Sequence, residues 1–500
     1  MNLDLNFTIL APEILLTILA FVIIIMGLLI SDKSKNMLGY ISAAGLLASL
    51  VYVVGNGMTG KFSYFYDSLV VDPLSQIFKL IFLIVSLIAV IASIEYFKDN
   101  RNQDEYYALI LMSTVGMMVV ASANDLIALF VGFELASMST YVLAGFEKKN
   151  PASLEAALKY FIIGSLSSAL MLFGMSLIYG ISGTTNIPGI IEFFRTAPLM
   201  AQSSLGVLAM VFLVAGFGFK MALVPFHMWA PDTYEGSPSV VSSLLAAGSK
   251  KMGFVAAFRV LVLALVAIRA DVQLTFAILA IITMTYGNVV ALSQRSIKRM
   301  LAYSSIAQAG YIALAFVVTT PMSIAGGILL ALGHALMKGG AFIAVAVVGY
   351  MVLSDNKNAK NIDDLDNFAG LGKRAPITAL GFFVFFLALA GIPPSAGFIG
   401  KLLLFYSITI EAITPTGILS SSWLLLIVII AILNSALSIY YYARVIKYMY
   451  VLPPKGEKIK EPAAYVVAIL IAVIGTIGIG LYPEPFINMA TNAAQVVLGV

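Results

Sequence analysis

The chain has 500 residues, of which 61% are hydrophobic and 11% charged, with a mean hydropathy of +0.99. That leaves too little polar surface to cover a water-soluble globule, so the sequence reads as a polytopic membrane protein with no separate aqueous domain. The formal charge of +4 is spread thinly and speaks for membrane topology rather than nucleic-acid binding; the lack of cysteine excludes cysteine-ligated iron–sulfur clusters, disulfides and thiol catalysis, and the two histidines, His227 and His334, argue against a histidine-rich metal site.

Apolar runs long enough to cross a bilayer, roughly 20 residues each, fall at 11–30, 37–55, 74–97, 106–122, 125–145, 153–181, 203–224, 238–268, 272–293, 300–319, 323–353, 376–409, 423–450 and 463–482. They predict an all-α fold of fourteen transmembrane helices, two of them interrupted. The first run lacks a basic n-region and a small-residue cleavage site, so it reads as a full span rather than a signal peptide. Connections after odd-numbered helices hold most of the positive charge, including Lys33, Lys35, Lys98, Lys148, Lys149, Lys298, Arg299, Lys357, Lys360 and Lys455, whereas the opposite side has Lys61, Arg195 and Arg269. By the positive-inside rule both termini lie outside a cell membrane and the lysine-rich loops face the cytoplasm. The longest polar connection, 354–375, reads as a surface loop with a short interfacial helix; 183–202 and 411–421 are outer loops.

The stretch AGFGFKMALVPFHMWAPDTYEGSP at 215–238 carries Lys220 on an apolar helix that breaks at Pro225. A lysine in such a span costs several kcal/mol and is by default a functional hypothesis. Backbone freed by proline is tolerated at membrane depth only where it faces protein or water, and broken helices of this kind line ion pathways. A second break lies in LALAGIPPSAGFIGKLLLF at 387–405, ahead of Lys401. Lys159 and Lys338, and likewise Lys220 and Lys401, are about 180 positions apart, and the two breaks fall in helices 7 and 12, five apart in order, which therefore cross in opposite directions as inverted repeats do. The expected divisions are 1–105 (helices 1–3), 106–268 and 269–450 (two five-helix repeats, helices 4–8 and 9–13) and 451–500 (helix 14).

Glu134 lies about 13 Å into helix 5 at ~1.5 Å per residue, near the midplane and suited to pair with Lys220. Lys250 and Lys251 are adjacent on helix 8 and point about 100° apart, so they cannot face one pathway equally; Lys250 is the favoured member. In GHALMKGGAF, His334 and Lys338 share a face at i, i+4, as a relay requires. The candidate proton-carrying set is thus Glu134, Lys220, Lys250, His334, Lys338 and Lys401. Lys159 could be pathway or interfacial anchor, Lys79 and Arg259 read as interhelical contacts, Arg444 as an interfacial anchor, and His227 either lines the break or is structural. No P-loop or strand-linked GxGxxG is present, so redox chemistry and ATP hydrolysis fall to other chains.

The segments FKMALVPFHMWAPDTYEGSPSVV (219–241), QRSIKRMLAYSSIAQAGY (294–311), LALAGIPPSAGFIGKLLLF and SLEAALKYFIIGSLSSALMLFG (153–174) resemble subunit N of proton-pumping respiratory complex I, called subunit 2 in mitochondria. The similarity runs over about residues 70–450. It implies an antiporter-like fold with inverted repeats and a proton path joining two half-channels, with Glu134, Lys220, Lys250 and Lys401 at the family's glutamate and lysine positions. It also implies membrane-arm partners (subunits L and M, and the small subunits K, J, A and H) and a peripheral arm whose flavin, iron–sulfur clusters and quinone-like carrier reside in other chains; none is expected in this one. Two departures stand out. Gln308 replaces the histidine of SSIAHAGY, and His334 with Lys338 is closer to the HAxxK pattern of subunits L and M, which points to a rearranged central relay. The choice of Lys250 over Lys251 follows the alignment of AAGSKKMGF with the family's GPKAAGF. NADH, a reduced deazaflavin and ferredoxin remain open as donors, and quinones and phenazines as acceptors. A subunit of a multisubunit monovalent cation/proton antiporter would use the same residues; a structural scaffold would gain nothing from midplane charges.

Overall fold

The structure is a computed structural model describing residues 10–56, 62–262, 269–355, 359, 361–414 and 423–499. The chain runs through α1 (Ala11–Leu29), α2 (Asn36–Gly55), an antiparallel hairpin of β1 (Phe62–Tyr64) and β2 (Leu69–Val71), α3 (Pro73–Tyr96), α4 (Gln103–Ser122), α5 (Leu126–Ala144) and α6 (Pro151–Ser182). Two short helices, α7 (Ile187–Thr196) and α8 (Pro198–Ala201), precede α9 (Ser204–Met221) and α10 (Trp229–Gly236). Next come α11 (Ser239–Leu244), a π-helical turn at Leu245–Ser249, α12 (Lys250–Ala257) and a second π turn at Phe258–Val262. The remainder is α13 (Arg269–Ser293), α14 (Ile297–Ala313), α15 (Pro321–Asp355), α16 (Leu371–Arg374), α17 (Pro376–Ala390), α18 (Ala396–Ile413), α19 (Trp423–Tyr450), α20 (Ala463–Leu481) and α21 (Glu484–Leu498). Among the described residues, twelve helices are long and apolar enough to cross a membrane. Helix α17 is apolar but shorter, and the α11–α12 stretch is interrupted by the π turns.

Helix starts follow ordinary capping chemistry. Asp72 accepts from Ser75 N, while Ser75 Oγ accepts from Asp72 N, a reciprocal box ahead of Pro73; Asp125, Asn150, Ser296 and Ser395 cap α5, α6, α14 and α18. Bulky residues such as Ile25, Leu29, Val289 and Leu433 face outward from α1, α13 and α19, as lipid contact demands.

Helices α4, α5, α6, α9 and α12 pack into one group, and α13, α14, α15, α18 and α19 into another. Helix α15 is central, touching α3, α11, α14, α17, α18, α20 and α21. The α11–α12 stretch and α10 form the seam, against α15 and α14 respectively. Several features differ from the sequence expectation. The single span at 238–268 is widened by two π turns, the outer loop 183–202 folds into α7 and α8, and the last segment forms two helices, α20 and α21, separated at Pro483. The interfacial structure in 354–375 is a 3-10 turn at Leu365–Phe368 followed by α16. The boundary at 268, most of the 411–421 loop, and Lys61, Lys357 and Lys360 lie outside the described residues.

Candidate functional site: a buried line of lysines

The first break separates α9 from α10. Ala222 caps α9 in the left-handed conformation (φ 55°), and Leu223 N donates back to Gly218 O at 2.9 Å. The buried carbonyl of Phe219 accepts from Ala222 N at 2.9 Å and from Trp229 Nε1 at 2.8 Å, and the Val224 amide finds Thr283 Oγ1 on α13 at 3.0 Å. The backbone groups named here are satisfied by protein groups, which is the condition for irregular backbone at membrane depth. Lys220 sits in the last turn of α9, fully buried, and donates to Tyr160 Oη at 2.8 Å and Ser249 Oγ at 3.4 Å. Four rings surround its ammonium, with centroids at 4.9 Å (Tyr160), 5.2 Å (Tyr141), 5.8 Å (Phe133) and 5.9 Å (Phe219). Gly253 on α12 allows this approach, since a Cβ there would lie 2.9 Å from Lys220 Cβ. Trp229 also stacks on Tyr160 at 4.6 Å. Trp229→Phe keeps an aromatic ring and removes the donor, leaving Phe219 O with the Ala222 amide at 2.9 Å as its partner; the expected cost is about 0.5–1.5 kcal/mol, read as a lower melting temperature of the purified complex.

At the seam, Lys250 and Lys251 are both fully buried, and the structure separates their roles. Lys250 Nζ reaches α14, donating to Ser305 O and Ser305 Oγ at 3.0 Å each. Lys251 Nζ donates to Ala246 O at 2.8 Å and touches Nδ1 of His334 on α15. Lys338 Nζ donates to Leu301 O at 3.0 Å and Ser304 Oγ at 2.7 Å, and Ser304 in turn contacts Tyr442 Oη on α19. Gln308 Nε2 donates to Leu389 O at 2.8 Å. Leu301, Ser304, Ser305 and Gln308 recur at helical spacing, so one polar stripe of α14 serves Lys250 and Lys338 and ends at the second break.

That break lies between α17 and α18. Gly391 terminates α17 with φ 87°, a conformation that favours glycine, and a Cβ there would meet Lys401 Cδ at 3.0 Å. Lys401 Nζ donates to Leu389 O at 3.1 Å, Ala390 O at 3.3 Å and Ser435 Oγ at 3.0 Å, and lies 4.5 Å from the Tyr311 ring. Both break lysines therefore occupy the negative end of a half-helix: Lys220 is in the last turn of α9, and Lys401 reaches back to the last carbonyls of α17. The ammoniums of Lys220, Lys250, Lys251, Lys338 and Lys401 are each held by hydroxyls, carbonyls or an imidazole rather than by a carboxylate.

Glu134 is half-buried and accepts from Ser168 Oγ on α6 at 2.5 Å; it makes no ion pair with Lys220 among the described residues. Tyr141, about two turns further along α5, lies within electrostatic reach of Glu134 and beside Lys220. Lys159 is partly exposed and pairs with Glu155 at 2.8 Å and Asp232 at 2.7 Å, an anchor's environment. Lys79 pairs with Glu13 at 2.7 Å and Arg259 with Asp72 at 2.7 Å, both between helices, and Arg444 caps α13 by donating to Leu292 O and Gln294 O. His227 packs edge-on against Tyr286. Beside Lys159 a cavity of about 420 Å³ opens, lined in part by Glu147, Asp232, Glu235, Lys298, Arg299 and Asp363. Sequence reasoning missed Tyr160, Ser249 and the α14 stripe, and named Lys251 while favouring Lys250. Only the stripe has a local signal, its 3-to-4 spacing of small polar residues on an apolar helix.

Two interrupted helices with a lysine at each break, joined by further buried lysines across the seam, define an antiporter-like translocating membrane subunit. The family described as NADH:quinone oxidoreductase/Mrp antiporter, transmembrane, matches residues 123–427. The chain belongs to this family, in the subunit N branch of complex I-type oxidoreductases. It is 55% identical to F(420)H(2) dehydrogenase subunit N of Methanosarcina mazei, over 98% of both chains. NADH-quinone oxidoreductase subunit N of Trichlorobacter lovleyi is 39% identical over 98% of both chains. A chain of respiratory complex I from Thermus thermophilus superposes with a TM-score of 0.78 at 29% identity, covering 95% of this chain and 98% of that one.

Proposed function

We propose that this subunit carries protons across the membrane along the line Lys220, Lys250 with the His334/Lys338 region, and Lys401, driven by electron transfer in partner subunits of an oxidoreductase complex. The observation that carries the reading is the continuity of buried polar contacts. Tyr160 and Ser249 adjoin Lys220, Ser249 precedes Lys250 in the chain, the α14 stripe links Lys250 to Lys338, and Gln308 meets Lys401 on the shared Leu389 carbonyl. Charges 4 Å apart still interact by about 4 kcal/mol at an effective dielectric constant of 20, so a proton on one site alters the occupancy of the next. Glu134, on the far side of Tyr141 from the line, acts as the input that senses the neighbouring subunit. The charged cavity beside Lys159 marks the uptake face.

Fourteen spans, with helices 4–8 and 9–13 as inverted repeats and both termini outside the cell membrane, accord with the two oppositely built breaks. The partners are the L and M type antiporter-like subunits, the small subunits K, J, A and H, and a peripheral arm holding the flavin and iron–sulfur clusters. Likeness to the methanogen subunit favours a reduced deazaflavin as donor over NADH.

The test is a gentle pull-down of the tagged chain with mass spectrometry, followed by proton uptake into vesicles. Co-purification of iron–sulfur subunits, and uptake started by reduced deazaflavin but not by NADH, is the expected result. Recovery of small antiporter-type membrane subunits alone, with sodium-dependent exchange and no donor, would instead assign the chain to a cation/proton antiporter.

A further inference from the structure

We propose that Lys251 and His334 hold one proton between them and make the transfer across the seam, with Lys250 as a positioning residue. This rests on the proton-carrying reading above and changes which lysine of the pair does the carrying. The partners decide it. Lys250 meets the carbonyl and hydroxyl of Ser305, neither of which accepts a proton at neutral pH, whereas Lys251 meets Nδ1 of an imidazole, which does. Both members are fully buried, and they come from different groups of helices, Lys251 from α12 and His334 from α15. The contact therefore spans the seam rather than running along one helix.

The surroundings allow either member to hold the charge. Lys251 donates to Ala246 O, an acceptor that serves an ammonium and a neutral amine alike. His334 Nε2 has no hydrogen-bond partner among the described residues, so an N–H bond there is not tied down. The charged groups within electrostatic reach of the imidazole are Lys250, Lys251, Lys338 and Lys401, all potential cations. The π turn that contains Ala246 ends immediately before Lys250, and such turns shift the facing of the residues that follow them. Gln308, on the neighbouring stripe, offers an amide to Leu389 O and carries no proton, so the imidazole of this region comes from α15.

The step balances simply. In the starting state Lys251 is an ammonium and His334 a neutral imidazole with its hydrogen on Nε2. One N–H bond of Lys251 breaks and one forms at Nδ1, giving a neutral amine and an imidazolium; the pair keeps a single positive charge and no electrons are exchanged. The Nε2 hydrogen is then the one available for the next transfer.

The test uses the whole complex in membrane vesicles, with donor oxidation and proton uptake measured together. Lys251→Met is expected to lower uptake per donor oxidised about tenfold, while oxidation with an uncoupler persists and Lys250→Met loses less. His334→Gln should match Lys251→Met, and the double variant should be no worse than either single one, because the two act as a unit. Lys251→Arg keeps the cation but does not release its proton at neutral pH; it should also lose uptake, which a purely structural cation would not. Should Lys251→Met fail to assemble, Lys251→Arg and the exchange Lys251→His with His334→Lys decide, the exchange being expected to recover part of the uptake. Normal uptake in Lys251→Arg, or losses that add in the double variant, would overturn the pair. Lys220→Ala run alongside separates the two readings: if it loses uptake and the Lys251 variants do not, the pair alone is wrong; if it too pumps normally, the proton-carrying line itself is wrong.

Discussion

Lys220→Ala should lower proton uptake per donor oxidised by about tenfold or more, with the complex still assembled and uncoupled electron transfer retained. Among the described residues, Lys220 is the one buried cation of the first break, and its ammonium contacts only the hydroxyls of Tyr160 and Ser249 and the faces of four rings. Hydroxyls can pass a hydrogen bond onward but do not store a proton at neutral pH, so no neighbour substitutes for the missing amine. Losing the side chain removes cation–π contacts worth about 0.5–2 kcal/mol, but it also removes an ammonium without a carboxylate partner, so the fold loses little. Arg444→Ala is the contrast. Arg444 satisfies the last carbonyls of α13, and its loss should cost about 1 kcal/mol of stability while leaving uptake per assembled complex unchanged. Vesicle acidification followed by a quenched dye, normalised to donor oxidation, reads both variants. Equal uptake in the two would remove Lys220 from the pathway.

Much of this site could be read from residue order because its defining events are local. Proline in a helix interior interrupts it, so the interruptions around Pro225 and Pro393 follow from the chain alone, and a lysine within an apolar run announces itself. The i, i+4 placement of His334 and Lys338 is likewise a matter of counting. What residue order does not hold is rotation between helices. Lys250 and Lys251 differ by about 100° about one axis, and which of them meets His334 depends on how α12 is turned relative to α15, after a π turn whose sequence, LAAGS, contains no proline. Glu134 fails as a direct partner of Lys220 for the same reason: depth along α5 can be counted, but Ser168 on α6 occupies the facing position. The β1–β2 hairpin and α21 were hidden by brevity and by continuity with apolar neighbours, so neither contributed a periodic signal of its own.

Arg259→Leu should destabilise the protein by about 3–5 kcal/mol, the range found when one member of a buried ion pair is removed. The guanidinium is 5% exposed and the Asp72 carboxylate 1%. Its two terminal nitrogens each donate to one Asp72 oxygen at 2.7 Å, and Nη2 and Nε share the Ala121 carbonyl at 2.7 and 3.0 Å. This one side chain therefore ties the second π turn after α12 to the start of α3 and the end of α4. Without it, a buried carboxylate and a helix-terminal carbonyl lose their partners together. Asp72 must also keep capping α3 through Ser75 N at 2.8 Å, so the compensating change has to preserve an acceptor while discarding the charge. Asp72→Asn does both. The double variant Asp72→Asn with Arg259→Leu should thus recover more than half of the loss, whereas Asp72→Asn alone strands the arginine and should be destabilised like Arg259→Leu. Thermal unfolding of the purified complex and its steady-state level in membranes measure this, with uptake per assembled complex expected to stay near the wild-type value. Wild-type stability in Arg259→Leu, or a double variant no better than the single ones, would show that the pair does not fasten α3 to the α12 segment, and that packing of the surrounding apolar side chains holds the seam instead.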